Sequence, residues 1–290
     1  MALKLAKEVD ADIVLATDPD ADRLGMYVKD TRLGEYVLFN GNMLASLILE
    51  YLLDQRKAQG KLPSNGAIIK SIVSTTLTEQ MGKHYGQEVF PVLTGFKNMG
   101  AKIKELEEQK SHEVIFSYEE SYGCLPGTYA RDKDAVATVM TVCEAAAFYQ
   151  NQGLTLWDEM LKIYEKYGYY KEDAFAMTLK GSDGAEKIKA IMEKIRSNPL
   201  GSIGNDKILK IKDYSTHVVK DLTTGETKET GLPTSNVLYY ELANNEWFCI
   251  RPSGTEPKIK SYVGVVGVNL TDAEERAVRL KEEVKKLLEV

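Results

Sequence analysis

Acidic residues at alternate positions mark the segment ATDPDADRL, residues 16–24. The carboxylates of Asp18, Asp20 and Asp22 would repel one another unless a cation lies between them. Oxygen-only ligands at this density suit Mg²⁺, which often acts beside a phosphate. Arg23 follows directly and adds a planar guanidinium that can bind a phosphoryl group. The spacing therefore predicts a Mg²⁺ site used in phosphoryl chemistry.

A calcium-binding EF-hand loop also begins with D-x-D-x-D, but it needs Gly next and Glu at its twelfth position. Arg23 and Lys29 occupy these positions here, which excludes that motif. A solvated acidic turn remains the alternative, because Asp and Pro favour turns.

A second candidate site lies in RPSGTEPK, residues 251–258, which we call the phosphate loop. Arg251 can form a bidentate contact, Ser253 and Thr255 carry hydroxyls, and Gly254 lets backbone amides approach an anion. Lys258 keeps the local potential positive, and two prolines stiffen the loop. These features together predict an anion site rather than a neutral turn.

Two further loops carry weaker signals. SYEESYG, residues 117–123, places Glu119 and Ser121 where they could bind vicinal hydroxyls of a sugar. RDKD, residues 131–134, places Lys133 before a helix, where it could contact a phosphate or transfer a proton. The alternatives are an exposed acidic turn for the first loop and a capping turn with Asp134 as N-cap for the second.

Composition limits the class of protein. The 290 residues are 43% hydrophobic and carry a formal net charge of -6, which argues against binding nucleic acid or a membrane surface. The three cysteines share no short spacing and give no disulfide framework. We therefore expect reduced thiols and a cytoplasmic location.

The first part of the chain alternates apolar strands with amphipathic helices, which is typical of a three-layer α/β domain. We expect a buried parallel strand just before the acidic triplet. Further along the chain we expect a helix capped by Asn42 and a long helix beginning at Asp134. Strands are predicted at 12–16, 24–28, 36–39, 67–73, 89–92 and 114–116, and further helices at 78–85, 99–109 and 157–167. From about Tyr170 the pattern changes to strands flanked by helices, typical of a compact α+β domain with an antiparallel sheet. This part is predicted to hold helices at 186–196 and 272–288 and strands at 208–211, 237–242, 247–250 and 259–266.

The motifs TDPDADR, TGFK, EESYG with RDKD, and RPSGTEPK occur in the order found in α-D-phosphohexomutases, and the sequence resembles their bacterial phosphoglucomutase/phosphomannomutase branch. The resemblance implies an α/β fold: residues 1–62 would be the remnant of a second domain with the metal loop. Residues 63–169 would form the third, mixed-sheet α/β domain and residues 170–290 the fourth, α+β domain.

The same resemblance implies roles for individual residues. Asp18, Asp20 and Asp22 would bind Mg²⁺, with Arg23 and Lys133 as catalytic residues beside them. The residues implied to bind substrate are Thr94, Gly95, Lys97, Glu119, Ser121, Arg251, Ser253, Gly254, Thr255 and Lys258. The family reaction moves phosphate between the 1- and 6-positions of a hexose through a phosphoserine, with glucose 1,6-bisphosphate as intermediate and activator.

The family's phosphoserine loop resembles TASHNP, and no serine here is followed by His-Asn. We therefore expect a C-terminal fragment that lacks the first domain and most of the second, binds hexose phosphates weakly and does not turn them over. The alternatives are a phosphomannomutase, a non-catalytic sugar-phosphate-binding module and a Mg²⁺ phosphatase that phosphorylates one of its aspartates. The sequence does not predict an oligomeric state.

Overall fold

The computed structural model describes residues 1–179, 183–254 and 256–289. Thr255, which was predicted to bind phosphate, lies outside the described residues. The chain divides into two compact units, Met1–Gly168 and Tyr169–Val290. The finer division at residue 62 remains a proposal.

The first unit contains two sheets and the helices that cover them. Its strands are β1 Ile13–Thr17, β2 Leu24–Asp30, β3 Glu35–Phe39, β4 Gly66–Ser71, β5 Glu88–Val92, β6 Glu113–Glu119 and β7 Gly123–Leu125. Its helices are α1 Ala2–Glu8, α2 Gly41–Ala58, α3 Leu77–Tyr85, α4 Phe96–Gln109, α5 Ala135–Gln150 and α6 Leu156–Tyr167.

The larger sheet of this unit has the order β5-β4-β6-β7. β4 pairs in parallel with β5 and β6, whereas β7 is antiparallel to β6. Ile69 faces a buried cluster that includes Met99 and Ile103 of α4. Ile68 points to the opposite face, where its Cδ1 lies 3.7 Å from the position of a Cβ at Gly82 of α3. Helices therefore cover both faces, which confirms the predicted three-layer α/β fold with a mixed sheet.

The smaller sheet corrects one prediction. β1 is not a buried parallel strand: it pairs antiparallel with β2, is only half-buried, and forms the sheet β1-β2-β3. The apolar run in β1 was a misleading signal, because a strand at a sheet edge can be as apolar as a central one. The consequence is that the acidic residues lie in a hairpin connection rather than at the end of a parallel strand.

Several helices begin earlier than predicted, α2 and α4 among them. The N-cap of α2 is Asn40, whose side chain accepts a hydrogen bond from the Met43 N–H at 2.9 Å. Asn42 lies inside the helix instead, and its Oδ1 accepts from the Thr75 N–H at 3.0 Å. α4 begins at Phe96 rather than Met99, with Gly95 as its N-cap.

Helix α5 begins as predicted, with the Asp134 side chain accepting from the Ala137 N–H at 3.0 Å. The apolar spacing that revealed this helix marks its outer side, because Val136 and Met140 are 61% and 70% exposed. Its buried side instead includes Ala135, Val142 and Tyr149.

The second unit is built on a long antiparallel sheet. Its elements are β8 Tyr169–Thr178, α7 Gly184–Ser197, β9 Ser202–Ile203, β10 Asp206–Asp213, β11 Val218–Asp221, β12 Thr227–Glu229, β13 Leu238–Leu242, a 3₁₀ turn Ala243–Asn245, β14 Trp247–Pro252, β15 Lys258–Gly267 and α8 Leu270–Leu288. The strand order is β12-β11-β10-β13-β14-β15-β8, with β9 paired to β10. Apolar residues of α7 and α8 pack on the sheet in one buried cluster. The predicted α+β unit is confirmed, whereas β8 was not predicted.

Within the described residues no helix is long and apolar enough to cross a membrane. Cys124 and Cys249 are buried, Cys143 is exposed, and all three are free thiols.

Candidate functional site

The acidic residues occupy a tight connection between β1 and β2, residues 18–23, which we call the acidic loop. Asp18 Oδ1 accepts hydrogen bonds from the backbone N–H groups of Asp22 at 3.1 Å and Arg23 at 3.2 Å. Desolvation opposes ionisation of this carboxyl, but the N–H groups of Arg23 and Asp22 hold the pKa of Asp18 below its usual value. The loop therefore presents Asp18 as a carboxylate close to Asp22.

Asp22 is surrounded by cations. Lys133 Nζ lies 2.8 Å from Asp22 Oδ2, and Arg23 Nε lies 3.8 Å from Asp22 Oδ1. Asp22 Oδ1 is buried and accepts no hydrogen bond from any described residue. Asp20, by contrast, is exposed at the tip of the loop.

The three carboxylates do not surround one point. In the part of the chain that the structure describes, no group of three or more acidic, histidine or cysteine side chains is placed to hold a metal ion. Asp22 Oδ1, which has no hydrogen-bond partner among the described residues, nevertheless lies near the Asp18 carboxylate. Carboxylate oxygens are the ligands that a hard cation prefers.

Lys133 is the centre of the cluster, and its side chain is only 11% exposed. Besides Asp22, its Nζ contacts Asp132 Oδ1 at 3.2 Å and lies 5.8 Å from the Phe96 ring centre. Desolvation acts to lower the pKa of Lys133, but its hydrogen bonds to Asp22 and Asp132 outweigh it, and the pKa is raised. The side chain is therefore an ammonium at neutral pH.

Glu119, the last residue of β6, lies near Lys133 and is 7% exposed. A Cβ at Gly123 would lie 2.4 Å from Lys133 Cδ and 3.2 Å from Glu119 Cγ, so glycine lets the two side chains approach there. Burial raises the pKa of Glu119, while Ser121 and Lys133 act in the opposite direction. The site thus pairs a buried carboxyl group with a buried ammonium.

Backbone hydrogen bonds hold these loops together. The Leu24 N–H donates to the Tyr122 carbonyl at 3.1 Å, and the Ala135 N–H donates to the Ala21 carbonyl at 3.0 Å. The acidic loop is therefore tied both to the loop after β6 and to the start of α5. This brings Asp22, Glu119 and Lys133 together although they are far apart in sequence.

A hydroxyl network behind Glu119 was missed by the sequence analysis. Ser71 Oγ donates to Glu120 Oε2 at 2.7 Å and lies 2.8 Å from Ser74 Oγ. A Cβ at Gly41 would lie 2.1 Å from the Glu120 carbonyl oxygen, so the start of α2 packs directly on this loop. The adjacent carboxylates in EESYG indicated a polar loop, but Ser71 and Ser74, which contact the Glu120 carboxylate, come from β4 and the turn after it.

The TGFK segment follows β5 and leads into α4. Gly95 has φ 101°, a backbone conformation that favours glycine, and Phe96 is the residue that lies near Lys133. The Thr94 carbonyl accepts from Asn98 Nδ2 at 3.0 Å. Lys97 is exposed, one residue beyond Phe96. The segment therefore borders the cluster through Phe96.

The phosphate loop lies in the second unit, where it connects β14 to β15. The Ser253 N–H donates to the Lys258 carbonyl at 2.8 Å, which closes the turn. Lys258 Nζ is paired with Glu256 Oε1 at 3.0 Å, and the Arg251 guanidinium lies 5.9 Å from the Tyr262 ring centre. Gly254 is exposed. The hydrogen bond between Ser253 and Lys258 joins the two ends of the loop, where Arg251, Ser253 and Lys258 lie.

Comparison with known proteins gives consistent results. The profile of "Phosphoglucomutase/phosphomannomutase, alpha/beta/alpha domain III" matches residues 40–167. The phosphoglucomutase of Staphylococcus aureus is 39% identical over 275 residues, which are 95% of this chain and 48% of the relative. The chain thus spans about half the length of the curated relatives it matches.

Solved structures share the fold at low sequence identity. A phosphoglucomutase/phosphomannomutase family protein from Burkholderia thailandensis superposes with a TM-score of 0.61 and 17% identity, covering 99% of this chain and 48% of that one. Aspergillus fumigatus N-acetylphosphoglucosamine mutase, solved with GlcNAc-6P and magnesium, superposes with a TM-score of 0.53 and 14% identity. The match covers 99% of this chain and 53% of that one. Residues 40–167 therefore match the phosphoglucomutase/phosphomannomutase domain III, and 95% of the chain is similar to a phosphoglucomutase, in keeping with the resemblance of its motifs to the α-D-phosphohexomutases.

Proposed function

We propose that this chain is the sugar-phosphate-binding part of a phosphoglucomutase. The whole protein would interconvert glucose 1-phosphate and glucose 6-phosphate through glucose 1,6-bisphosphate and a phosphoserine. The observation that carries the proposal is the convergence of Asp22, Lys133 and Glu119 in the first unit. The S. aureus phosphoglucomutase, at 39% identity, supports glucose as the sugar.

The cluster suits phosphoryl transfer, which depends on positioning and neutralisation of charge. The Lys133 ammonium and the Arg23 guanidinium would bind a phosphoryl group beside Asp22. Glu119 and Ser121 would bind sugar hydroxyls, because a carboxyl group and a serine hydroxyl can each form directional hydrogen bonds to them. Thr94, Gly95 and Lys97 would border the sugar phosphate.

We propose Mg²⁺ as the cofactor, held by Asp18, Asp20 and Asp22 once the ion draws the three carboxylates together. The orphaned Asp22 Oδ1 beside Asp18 supports this assignment. When bound, Mg²⁺ neutralises the charge that develops on the transferring phosphoryl group. Lys133 already supplies one positive charge to the same carboxylate.

We propose that the phosphate loop binds the phosphate that does not react. Arg251 would make the bidentate contact, with Ser253, Gly254, Thr255 and Lys258 around it. The hydrogen bond between Ser253 and Lys258 supports the proposal, because it fixes the base of the loop and so reduces the entropy lost on binding. The proposed ligands are small hexose phosphates, and the proposed compartment is the cytoplasm, where free cysteines stay reduced.

Ligand-induced thermal stabilisation tests this assignment. We expect glucose 1-phosphate to raise the melting temperature of the chain more than mannose 1-phosphate does, and Arg251→Ala to abolish the effect. Arg279→Ala, an exposed arginine of the same unit, is the matched control and should retain it. Equal stabilisation of the native chain and Arg251→Ala would refute the role of the phosphate loop.

A further inference from the structure

A polar cavity of about 310 Å³ lies in the first unit, and none of its lining residues belongs to the cluster around Lys133. α2, α5 and α6 contribute acidic groups and a tyrosine, and α3 contributes a second tyrosine. The lining residues are Glu50, Asp54, Tyr85, Tyr149, Glu159, Lys162, Ile163 and Lys166. Nothing in the proposed phosphoglucomutase reaction uses this cavity.

One of its carboxylates is already satisfied. Glu50 is 5% exposed and accepts from Lys166 Nζ at 2.8 Å and from the Tyr85 hydroxyl at 3.0 Å. The Tyr167 hydroxyl makes a further contact with Glu50 at 3.0 Å. Glu50 and Lys166 therefore neutralise each other and form part of the wall.

The side-chain oxygens of Tyr149 and Glu159 have no hydrogen-bond partner among the described residues. Tyr149 is 5% exposed, yet its hydroxyl has no hydrogen-bond partner among residues 1–179, 183–254 and 256–289. Burial is the main cause that raises the pKa of Tyr149, and the negative charges of Glu159, Glu50 and Asp54 raise it further. The hydroxyl therefore lies close to the acidic residues of the cavity. Within the same described ranges, the Glu159 carboxylate makes neither a hydrogen bond nor an ion pair.

The remaining charge favours a cation. The lining carries three carboxylates and two lysines, an excess of one negative charge. Burial raises the pKa of Glu159, and Lys162 only partly offsets this, so a cation beside the carboxylate would stabilise its charged form. The wall of the cavity already contacts ammonium groups, because Lys57 Nζ and Lys166 Nζ lie 5.3 and 5.1 Å from the centre of the Tyr85 ring.

We propose that this cavity binds a small aliphatic ammonium ion, which donates N–H groups to the Tyr149 hydroxyl oxygen and the Glu159 carboxylate. An ammonium has three donors and no acceptor, which matches two unpaired oxygens. Ile163 and the tyrosine rings provide apolar contacts for the methylene groups. A divalent metal ion fits less well, because Lys162 and Lys166 line the same cavity and would repel its double charge more strongly than that of an ammonium.

Isothermal titration calorimetry with putrescine tests the proposal. We expect the native chain to bind it, and Tyr149→Phe and Glu159→Gln each to weaken binding by about tenfold, the effect of one charge-assisted hydrogen bond. Glu165→Gln, on an exposed side of α6, is the matched control and should bind normally. Circular dichroism verifies that each variant is folded.

Two control compounds test whether the ammonium groups are recognised. 1,4-Butanediol has the same carbon chain without charge, and KCl matches the ionic strength of the putrescine solution. We expect neither to bind or to compete with putrescine. Absence of putrescine binding, competition by K⁺, or unchanged affinity in both cavity variants would overturn the proposal. This test does not use hexose phosphates, so its outcome is independent of the proposed function.

Discussion

At the scale of single residues, Lys133 determines the chemistry of the candidate site. It is a buried ammonium between Asp22 and Asp132, and it also lies beside Glu119. Its type and its place before a helix could be read from the sequence, as could the Asp134 cap. Its partner Asp22 could not, because that contact joins positions more than a hundred residues apart.

Metal binding gives a prediction at this scale. We expect Mg²⁺ to raise the melting temperature of the native chain, since a ligand of the folded state stabilises it by mass action. Asp22→Asn should remove most of this shift, because an amide replaces the charged carboxylate that is proposed to bind the ion. Thermal unfolding with and without Mg²⁺ measures the effect.

Asp12→Asn provides the control, because Asp12 is an exposed acid of the same unit outside the acidic loop. It should keep the full Mg²⁺ shift. An equal loss in both variants would show that Mg²⁺ acts through general surface charge, and a full shift in Asp22→Asn would contradict the proposed ligand.

At the scale of secondary structure, helices were predicted better than strand partners. The apolar periodicity located α3 and α6, because an amphipathic helix carries its pattern within one segment. β8 was missed because charged residues occupy its middle, and its order depends on pairing with the distant β15. The direction of β1 was likewise set by pairing with β2, which its own residues do not encode.

The hydroxyl network gives a prediction about how β4 supports the loop after β6. Ser71→Ala removes the 2.7 Å hydrogen bond to Glu120 and leaves that carboxylate poorly paired. We expect a loss of about 1.5 kcal/mol in the free energy of unfolding, the lower end for a hydrogen bond to a charged group, because Glu120 is only half-buried. Urea denaturation measures this difference.

Ser117→Ala is the matched control for this variant. Ser117 is also fully buried in the same sheet, and its hydroxyl has no hydrogen-bond partner in the described part of the chain. We expect its free energy of unfolding to change by less than about 1 kcal/mol. Equal losses in the two variants would mean that burial alone, rather than the contact with Glu120, explains the effect of Ser71→Ala.

At the scale of the whole molecule, the fold class and the family could be predicted because the motifs are local and occur in a fixed order. The convergence of three loops within the first unit could not be, because it depends on tertiary contacts between the acidic loop, β6 and α5. The chain spans about half the length of its curated relatives, so the activity of the whole protein remains a proposal.

The central claim is that the cluster around Lys133 binds a hexose phosphate. Calorimetric titration with glucose 1,6-bisphosphate tests it most directly, with Lys102→Ala on α4 as a control that should behave as the native chain. We predict that Lys133→Ala and Glu119→Gln each weaken binding by about tenfold or more, the effect of losing a charge-assisted contact. Native affinity in both variants, or no binding by the native chain, would contradict the claim.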